Sequence, residues 1–382
     1  MKSALTGDVL TIFLEGMLDV NTVNSISNEM ENLVKENSDK EIIVDCSNLS
    51  YISSMGLRLM LKMRKLHKSK GFTLIEVSRE VYEVFESSGF TKIINIKKAL
   101  QQISVDGLVM LGSGMSGKVY RLDDEKTLKV YNKNWTLAGV QKEQQTAQSA
   151  FILGLDTAIS YDVVRVGESY GIIYELLQAE TFDKFILAHA DQTEEYAKMF
   201  AKFVKKQHSI HIDDESYRDY RQTMINYAKK VELYNEEERK FAVDLFKKVP
   251  EKDYFVHGDL NLGNVMIQDG QLFMIDMGEA SKGHPLFDLA WIYYVYVMKP
   301  TYVPSNISPR ELPKILWRTF AQEYFNTKDE KTLVHYEKVL LPYAVIQLLN
   351  WTLFVKVQAF FTKAYEEFLP EVMKNNIEPL DF

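Results

Sequence analysis

Residues 257–264, reading HGDLNLGN, carry the densest chemistry in the chain. A carboxylate, Asp259, is followed five positions on by an amide, Asn264, and a second carboxylate, Asp276, comes twelve positions later. Moving a phosphoryl group to a hydroxyl requires one carboxylate to meet the hydroxyl and further oxygens to hold magnesium against the phosphates. Asp259 fits the first task, and Asn264 with Asp276 the second. Residues 265–267 and 272–275 read as short strands around a turn at Asp269 and Gly270, a hairpin that brings Asn264 and Asp276 to one end.

The phosphate side of such a site is sought upstream. Gly112, Gly114 and Gly117 stand in G-x-G-x-x-G spacing, a pattern that also opens dinucleotide sites when a helix follows. Here KVYRLDDEKTLKVY follows, two strands about an acidic turn, which favours a hairpin whose backbone lies over ATP. Lys129, in the second of these strands, can reach the α- and β-phosphates as a point charge. Its orienting partner is expected to be Glu143, the one acidic residue between Lys129 and Asp156.

With these residues in place, 104–382 resemble the aminoglycoside phosphotransferase and choline kinase branch of the protein-kinase-like fold. The resemblance rests on the glycine loop, Lys129, HGDLNLGN, MIDMGEA at 274–280 and GHPLFDLAW at 283–291. It implies that Asp259 accepts or orients the acceptor hydroxyl proton, and that Asn264 and Asp276 bind Mg2+. It further implies that His257 braces the loop and Asp288 supports it from the helical lobe, although Asp288 also stands where it could cap a helix. Adenine would be read by backbone groups around Glu175 and Leu177, in a hinge at 174–179. Asn261 stands where protein kinases carry lysine, and only eleven residues separate Asp276 from Asp288. A small hydroxylated acceptor is therefore expected over a protein.

The acceptor's identity stays open. Glu366, Glu367, Glu371, Glu378 and Asp381 would suit a cationic amine, and Trp291, Tyr293, Tyr294, Trp317, Trp351 and Phe354 a choline-type cage. Solvated helix charges and core aromatics are the plainer readings.

Upstream, residues 4–100 alternate strands and helices: strand 9–14, helix 20–36 capped by Asp19, strand 41–45, helix 54–70, strand 72–77, helix 81–87 and strand 92–96. This part resembles the STAS domain of anti-sigma-factor antagonists through EGMLDVNT, IIVDCSNLSYISSMGLRLML and VYEVFESSGF. The resemblance makes Ser54, with Gly56, a phosphorylated switch, although Ser53 replaces the usual aspartate; for both serines, helix capping remains the alternative.

The expected fold class is therefore α+β multidomain. A STAS-type α/β sheet domain at 1–103 contacts or regulates through a protein partner. A bilobal kinase-like domain follows, with a β-rich small lobe at 104–179 and a mostly helical large lobe at 180–382. The expected activity is an ATP- and Mg2+-dependent phosphotransferase; the alternatives are an autokinase acting on Ser54 and a nucleotide-binding scaffold. A formal charge of -8 argues against nucleic acid, and the single Cys46 and polar start point to a cytoplasmic protein. The apolar stretches 289–298 and 339–355 are short or interrupted, so no membrane span is expected.

Overall fold

The computed structural model describes residues 1–67, 71–298, 312–355 and 359–374. The chain divides into two compact units, Met1–Ile103 and Ser104–Phe382.

The first unit is one five-stranded sheet in the order β1-β2-β3-β4-β5 with three helices. Its strands are β1 (Lys2–Thr6), β2 (Val9–Leu18), β3 (Glu41–Ile52), β4 (Phe72–Val77) and β5 (Asn95–Lys98). β1 pairs antiparallel with β2, and the remaining pairs are parallel. The helices are α1 (Val20–Glu36), α2 (Ser54–Leu66) and α3 (Arg79–Ser87). Asp19 caps α1 by accepting from Thr22 N–H at 2.9 Å, as its sequence position predicts. α2 buries Leu59, Met60 and Met63 at helical spacing, and α3 buries Val81 and Phe85.

Several boundaries differ from expectation, among them β2, which runs on to Leu18, and α3, which starts at Arg79, and one strand is new. β3 runs on to Ile52 because its polar second half continues the ladder with Glu15 to Leu18 of β2. The last strand begins at Asn95 because residues 90–92 form a 3-10 turn. β1 escapes a pattern search because all five of its residues are exposed. Lys68 to Lys70, the expected end of α2, lie outside the described residues.

The second unit opens with a sheet in the order β6-β7-β8-β10-β9. It comprises β6 (Met110–Ser113), β7 (Gly117–Arg121), β8 (Lys126–Tyr131), then helix α4 (Leu137–Ile152), β9 (Ser160–Val166) and β10 (Ser169–Glu175). The chain continues through β11 (Glu180–Thr181), α5 (Phe182–Ala188), α6 (Thr193–Gln207), α7 (Tyr220–Ala228) and α8 (Glu236–Lys247). Four short strands follow: β12 (Tyr254–Val256), β13 (Val265–Gln268), β14 (Gln271–Met274) and β15 (Ser281–Gly283). The chain then forms α9 (Leu286–Tyr293), α10 (Leu312–Tyr324) and α11 (Glu330–Asn350).

All eight residues of α9 are buried, and α11 carries Pro342 inside a run buried from Val339 to Asn350 save Leu341. Both apolar stretches thus serve the core, and among the described residues no helix is long and apolar enough to cross a membrane.

Candidate active site

β13 and β14 pair in register from Val265 opposite Met274 to Gln268 opposite Gln271. Asp269 and Gly270 both have positive φ, 50° and 78°, the geometry of a two-residue turn matched to strand twist. At the open end, Ile275 N–H donates to Asn264 O at 3.0 Å, which sets Asp276 beside Asn264. Asp276 itself is left-handed, with φ 62° and ψ 62°, a conformation sparsely used outside glycine and found preferentially at functional positions.

Asn264 Nδ2 donates to both the main-chain O and Oδ2 of Asp259 at 2.9 Å. The amide is thereby oriented, with its Nδ2 spent on Asp259. Trp291 Nε1 donates to Asp259 Oδ1 at 2.8 Å, and Asn261 Nδ2 reaches the same oxygen at 3.3 Å. Burial pushes the Asp259 carboxyl above its ordinary value; Asp276 adds to the rise, while His257, Trp291 and Asn264 oppose it.

The loop is held from beneath. β12 pairs with β15, so the chain leaving β15 delivers α9 under the loop that leaves β12. Asp288 is wholly buried and accepts from the N–H groups of His257 and Gly258 at 2.7 and 2.8 Å. It makes no capping bond to its own helix, so of the two readings of Asp288 the geometry matches the loop contact. His208 Nε2 lies 3.1 Å from Asp288 Oδ2, and His208 Nδ1 lies 2.9 Å from the Tyr324 hydroxyl. His257 is buried, with Nε2 3.0 Å from Ile275 O and Nδ1 accepting from Asp259 N–H at 3.3 Å. Its ring ties the loop to the strand that leads into Asp276. Gly258 is obligatory here: its φ is +83°, and a Cβ would lie 2.9 Å from Glu279 O and from the Tyr220 ring.

Lys129 Nζ bonds Glu143 Oε1 and Asp276 Oδ1, each at 2.8 Å, and its side chain is 11% exposed. Burial alone would lower the Lys129 pKa, but Glu143 and Asp276 together hold it raised. The Asp276 side chain is 42% exposed, and what burial it has works against ionisation; Lys129 outweighs this and keeps its pKa lowered. Tyr131 donates to Glu143 Oε1 at 2.6 Å, and Tyr174 approaches the same oxygen at 3.5 Å.

The glycine positions divide by role. A Cβ at Gly112 or Gly114 meets nothing within 4 Å, whereas one at Gly117 would stand 2.0 Å from Val130 O. Gly117 is thus required by close strand packing against β8, a different reason from the phosphate approach expected of all three. At the hinge, Glu175 uses its N–H and Oε2 on the backbone of Ile159, at 2.8 and 3.2 Å. Leu176 N–H donates to Glu125 O, and among the described residues Leu177 N–H has no hydrogen-bond partner.

Several partners of the site carry no distinguishing mark in the sequence. Beyond its place in GHPLFDLAW, Trp291 reads there as a core or cage aromatic, and nothing local singles out His208, Tyr324 and Tyr131, or Tyr174 beyond its place at the hinge, as polar partners of Asp288 and Glu143. Of the suggested cage, Trp317, Tyr293 and Tyr294 are core residues. Trp351 and Phe354 instead line a pocket with Tyr220, Tyr227, Glu279 and the α11 amides Gln347 and Asn350. Trp351 stacks on Trp291 at 5.8 Å, so this pocket adjoins the residue bonded to Asp259. Glu378 and Asp381 of the expected acidic wall lie outside the described residues.

Among the described residues no three His, Cys, Asp or Glu side chains gather to hold a metal alone. One carboxylate and one amide oxygen nevertheless suit magnesium, which keeps waters and takes its other ligands from phosphates.

A glycine hairpin, a buried Lys–Glu pair and a braced Asp/Asn/Asp set gathered at the open end of the β13–β14 hairpin define a fold of the protein-kinase type. A family model described as "Phosphotransferase enzyme family" matches residues 108–316, and a STAS domain model matches residues 2–103. The chain belongs to the phosphotransferase enzyme family and carries an N-terminal STAS domain.

Over the first unit it is 29% identical across 90 residues to the anti-sigma F factor antagonist of Paenibacillus polymyxa, covering 23% of this chain and 77% of that one. It is 35% identical across 91 residues to the BtrV protein of Bordetella bronchiseptica, with the same coverages. Among solved structures, ADP-bound aminoglycoside phosphotransferase APH(2'')-Ib has a TM-score of 0.46 at 17% identity, covering 75% of this chain and 96% of that one. A choline/ethanolamine kinase family protein from Mesorhizobium loti has a TM-score of 0.46 at 15% identity, covering 70% and 88%.

Proposed function

We propose that the protein transfers the γ-phosphoryl group of ATP, with magnesium, to a hydroxyl of a small molecule held beside Asp259. The observation that carries this reading is the convergence of Asp259, Asn264, Asp276 and the Lys129–Glu143 pair at the open end of the β13–β14 hairpin. Lys129 would turn from Asp276 to the α- and β-phosphates while Glu143 keeps it in place. Asp276 and Asn264 Oδ1 would hold magnesium, which when bound neutralises charge on the β- and γ-phosphate oxygens. Asp259, aimed by Trp291 and Asn264, would orient the acceptor hydroxyl and take its proton. The adenine edge would meet the backbone between Glu175 and Leu177, in a small lobe at 104–179 above a large lobe at 180–382.

Calorimetric titration with Mg–ADP, beside a screen of alcohols and aminoglycosides for ATP consumption, tests the assignment. Asp276→Ala should weaken magnesium-dependent nucleotide binding at least about tenfold. Asp259→Ala should bind nucleotide normally and lose about 10²–10⁴-fold in turnover. Equal loss of nucleotide affinity in both variants contradicts the separate roles, and turnover unaffected by Asp259→Ala rejects the reading.

A second reading concerns the first unit. Ser53 is the residue that caps α2, accepting from Gly56 N–H at 3.3 Å, and Ser54 is exposed, its hydroxyl without a hydrogen bond among the described residues. Ser54 is thus the serine open to a kinase, and Met17, Val20 and Tyr51 are further exposed apolar residues of this unit suited to a protein partner. A mass increase of one phosphate after incubation with Mg–ATP, absent in Ser54→Ala, supports self-modification; an unmodified chain that turns over a small acceptor excludes it.

A further inference from the structure

The tip of the glycine hairpin is held in place although little packs on it. Met115 and Ser116 form the tip, between Gly114 and Gly117, and Gly114 N–H donates to Gly117 O at 2.9 Å. The Met115 side chain is 73% exposed, and a Cβ at Gly114 would meet nothing within 4 Å. Neither Met115 nor Ser116 has positive φ, so the tip is not one of the primed turns whose own twist fits a hairpin. Its support comes from Asn132, whose Nδ2 donates to Met115 O at 2.7 Å and whose N–H donates to Ser116 O at 3.0 Å.

Two successive carbonyls are thereby fixed. In a planar trans peptide the C=O and the N–H point opposite ways, so fixing Met115 O turns the Ser116 N–H away from Asn132. Among the described residues neither the Met115 N–H nor the Ser116 N–H has a hydrogen-bond partner. Adjacent N–H groups left open in a turn make a concavity suited to an anion. Asn132 is itself exposed and directly follows β8, a strand anchored by Leu128 and Tyr131, which are 0% and 2% exposed. The same strand carries Lys129, three residues earlier. One anchored element thus fixes the ammonium and the hairpin tip relative to each other.

We propose that Asn132 is a positioning residue for phosphoryl transfer: by holding the Met115 and Ser116 carbonyls it preshapes the hairpin tip, so that the two open N–H groups receive the terminal phosphates of the nucleotide. The inference rests on the phosphotransferase reading and adds to it a residue that touches neither nucleotide nor metal. Without the side-chain bond, the tip keeps only the contact of Ser116 O with the Asn132 main chain, and the peptide carrying the Ser116 N–H is free to rotate. Ordering that peptide then adds to the cost of binding a triphosphate. Adenosine, which has no phosphates, is unaffected.

The test titrates the full-length protein calorimetrically with Mg–AMP-PNP and with adenosine, in wild type and in Asn132→Ala. The variant should bind Mg–AMP-PNP about three- to tenfold more weakly, with adenosine affinity and melting temperature unchanged. Hydrogen exchange gives a second readout. At saturation with Mg–AMP-PNP the Met115 and Ser116 amides should slow in wild type, and slow less in the variant. A variant that binds Mg–AMP-PNP as tightly as wild type, an equal loss of adenosine affinity, or tip amides that do not slow in saturated wild type would each overturn the inference and leave the phosphotransferase reading standing. A wild-type chain that binds no magnesium nucleotide overturns both.

Discussion

Asp288→Asn is the sharpest test of how the site is built. In the native fold three donors converge on this carboxylate: two main-chain N–H groups and His208 Nε2. Oδ2 serves two of them and Oδ1 one, so asparagine does least harm with its oxygen on the Oδ2 side. Its amino group then faces Gly258 N–H, which loses a charge-assisted bond worth about 1.5–3 kcal/mol, and a buried donor is left unpaired at about 1–3 kcal/mol more. The total, about 2.5–6 kcal/mol, brackets the cost of breaking a buried ion pair. At roughly 2–4 °C per kcal/mol, the second unit should melt about 5–24 °C lower.

Calorimetry of the full chain measures the loss, and hydrogen exchange across residues 256–264 locates it. The His257 and Gly258 amides should exchange faster in the variant, and turnover should fall about a hundredfold because the loop carrying Asp259 is no longer pinned. A variant that melts within about 1 kcal/mol of wild type, with those amides still protected, refutes the clamp.

Three further outcomes follow from named contacts. Trp291→Phe removes a hydrogen bond that favours the charged form of Asp259, whose carboxyl burial already raises above its ordinary value, so the acid limb of kcat against pH should move to higher pH than in wild type; an unmoved limb separates Trp291 from Asp259's protonation. His284 accepts from Leu286 N–H, and burial lowers its pKa from 6.5 to about 4. The unfolded chain therefore takes up this proton first as pH falls, and stability should drop by up to about 3 kcal/mol between pH 6.5 and 4; urea midpoints that decline as steeply in His284→Gln would deny it that share. Ser53→Ala should cost about 1 kcal/mol through loss of the α2 cap, while Ser54→Ala stays within about 0.5 kcal/mol, read from urea unfolding of the first unit; the reverse order would reassign the cap.

What the sequence reveals of this site follows the reach of each contact. Asn264 and Asp276 are joined through a two-residue turn, so the Asp-Gly pair and the flanking apolar residues suffice to place them together. Lys129 and Glu143 are legible because their span offers no other acidic choice. Trp291 meets Asp259 across 32 residues, His208 meets Asp288 across 80, and Asn350 meets Met224 across 126. At that range an aromatic, a histidine or an amide on an apolar helix carries no mark distinguishing it from packing, and only the tertiary fold selects it. In the first unit, strands with buried faces announce themselves, whereas the wholly exposed β1 does not.

The left-handed backbone at Asp276 narrows what this position can become. Glycine would relax the chain and surrender the carboxylate; β-branched residues would meet a steric cost of about 1–2 kcal/mol before any chemistry is considered. Asparagine alone combines tolerance of that conformation with an oxygen at the same distance from the backbone. A saturation library here should therefore collapse to Asp and Asn among cation-responsive clones, making the pair a natural dial for charge at constant shape.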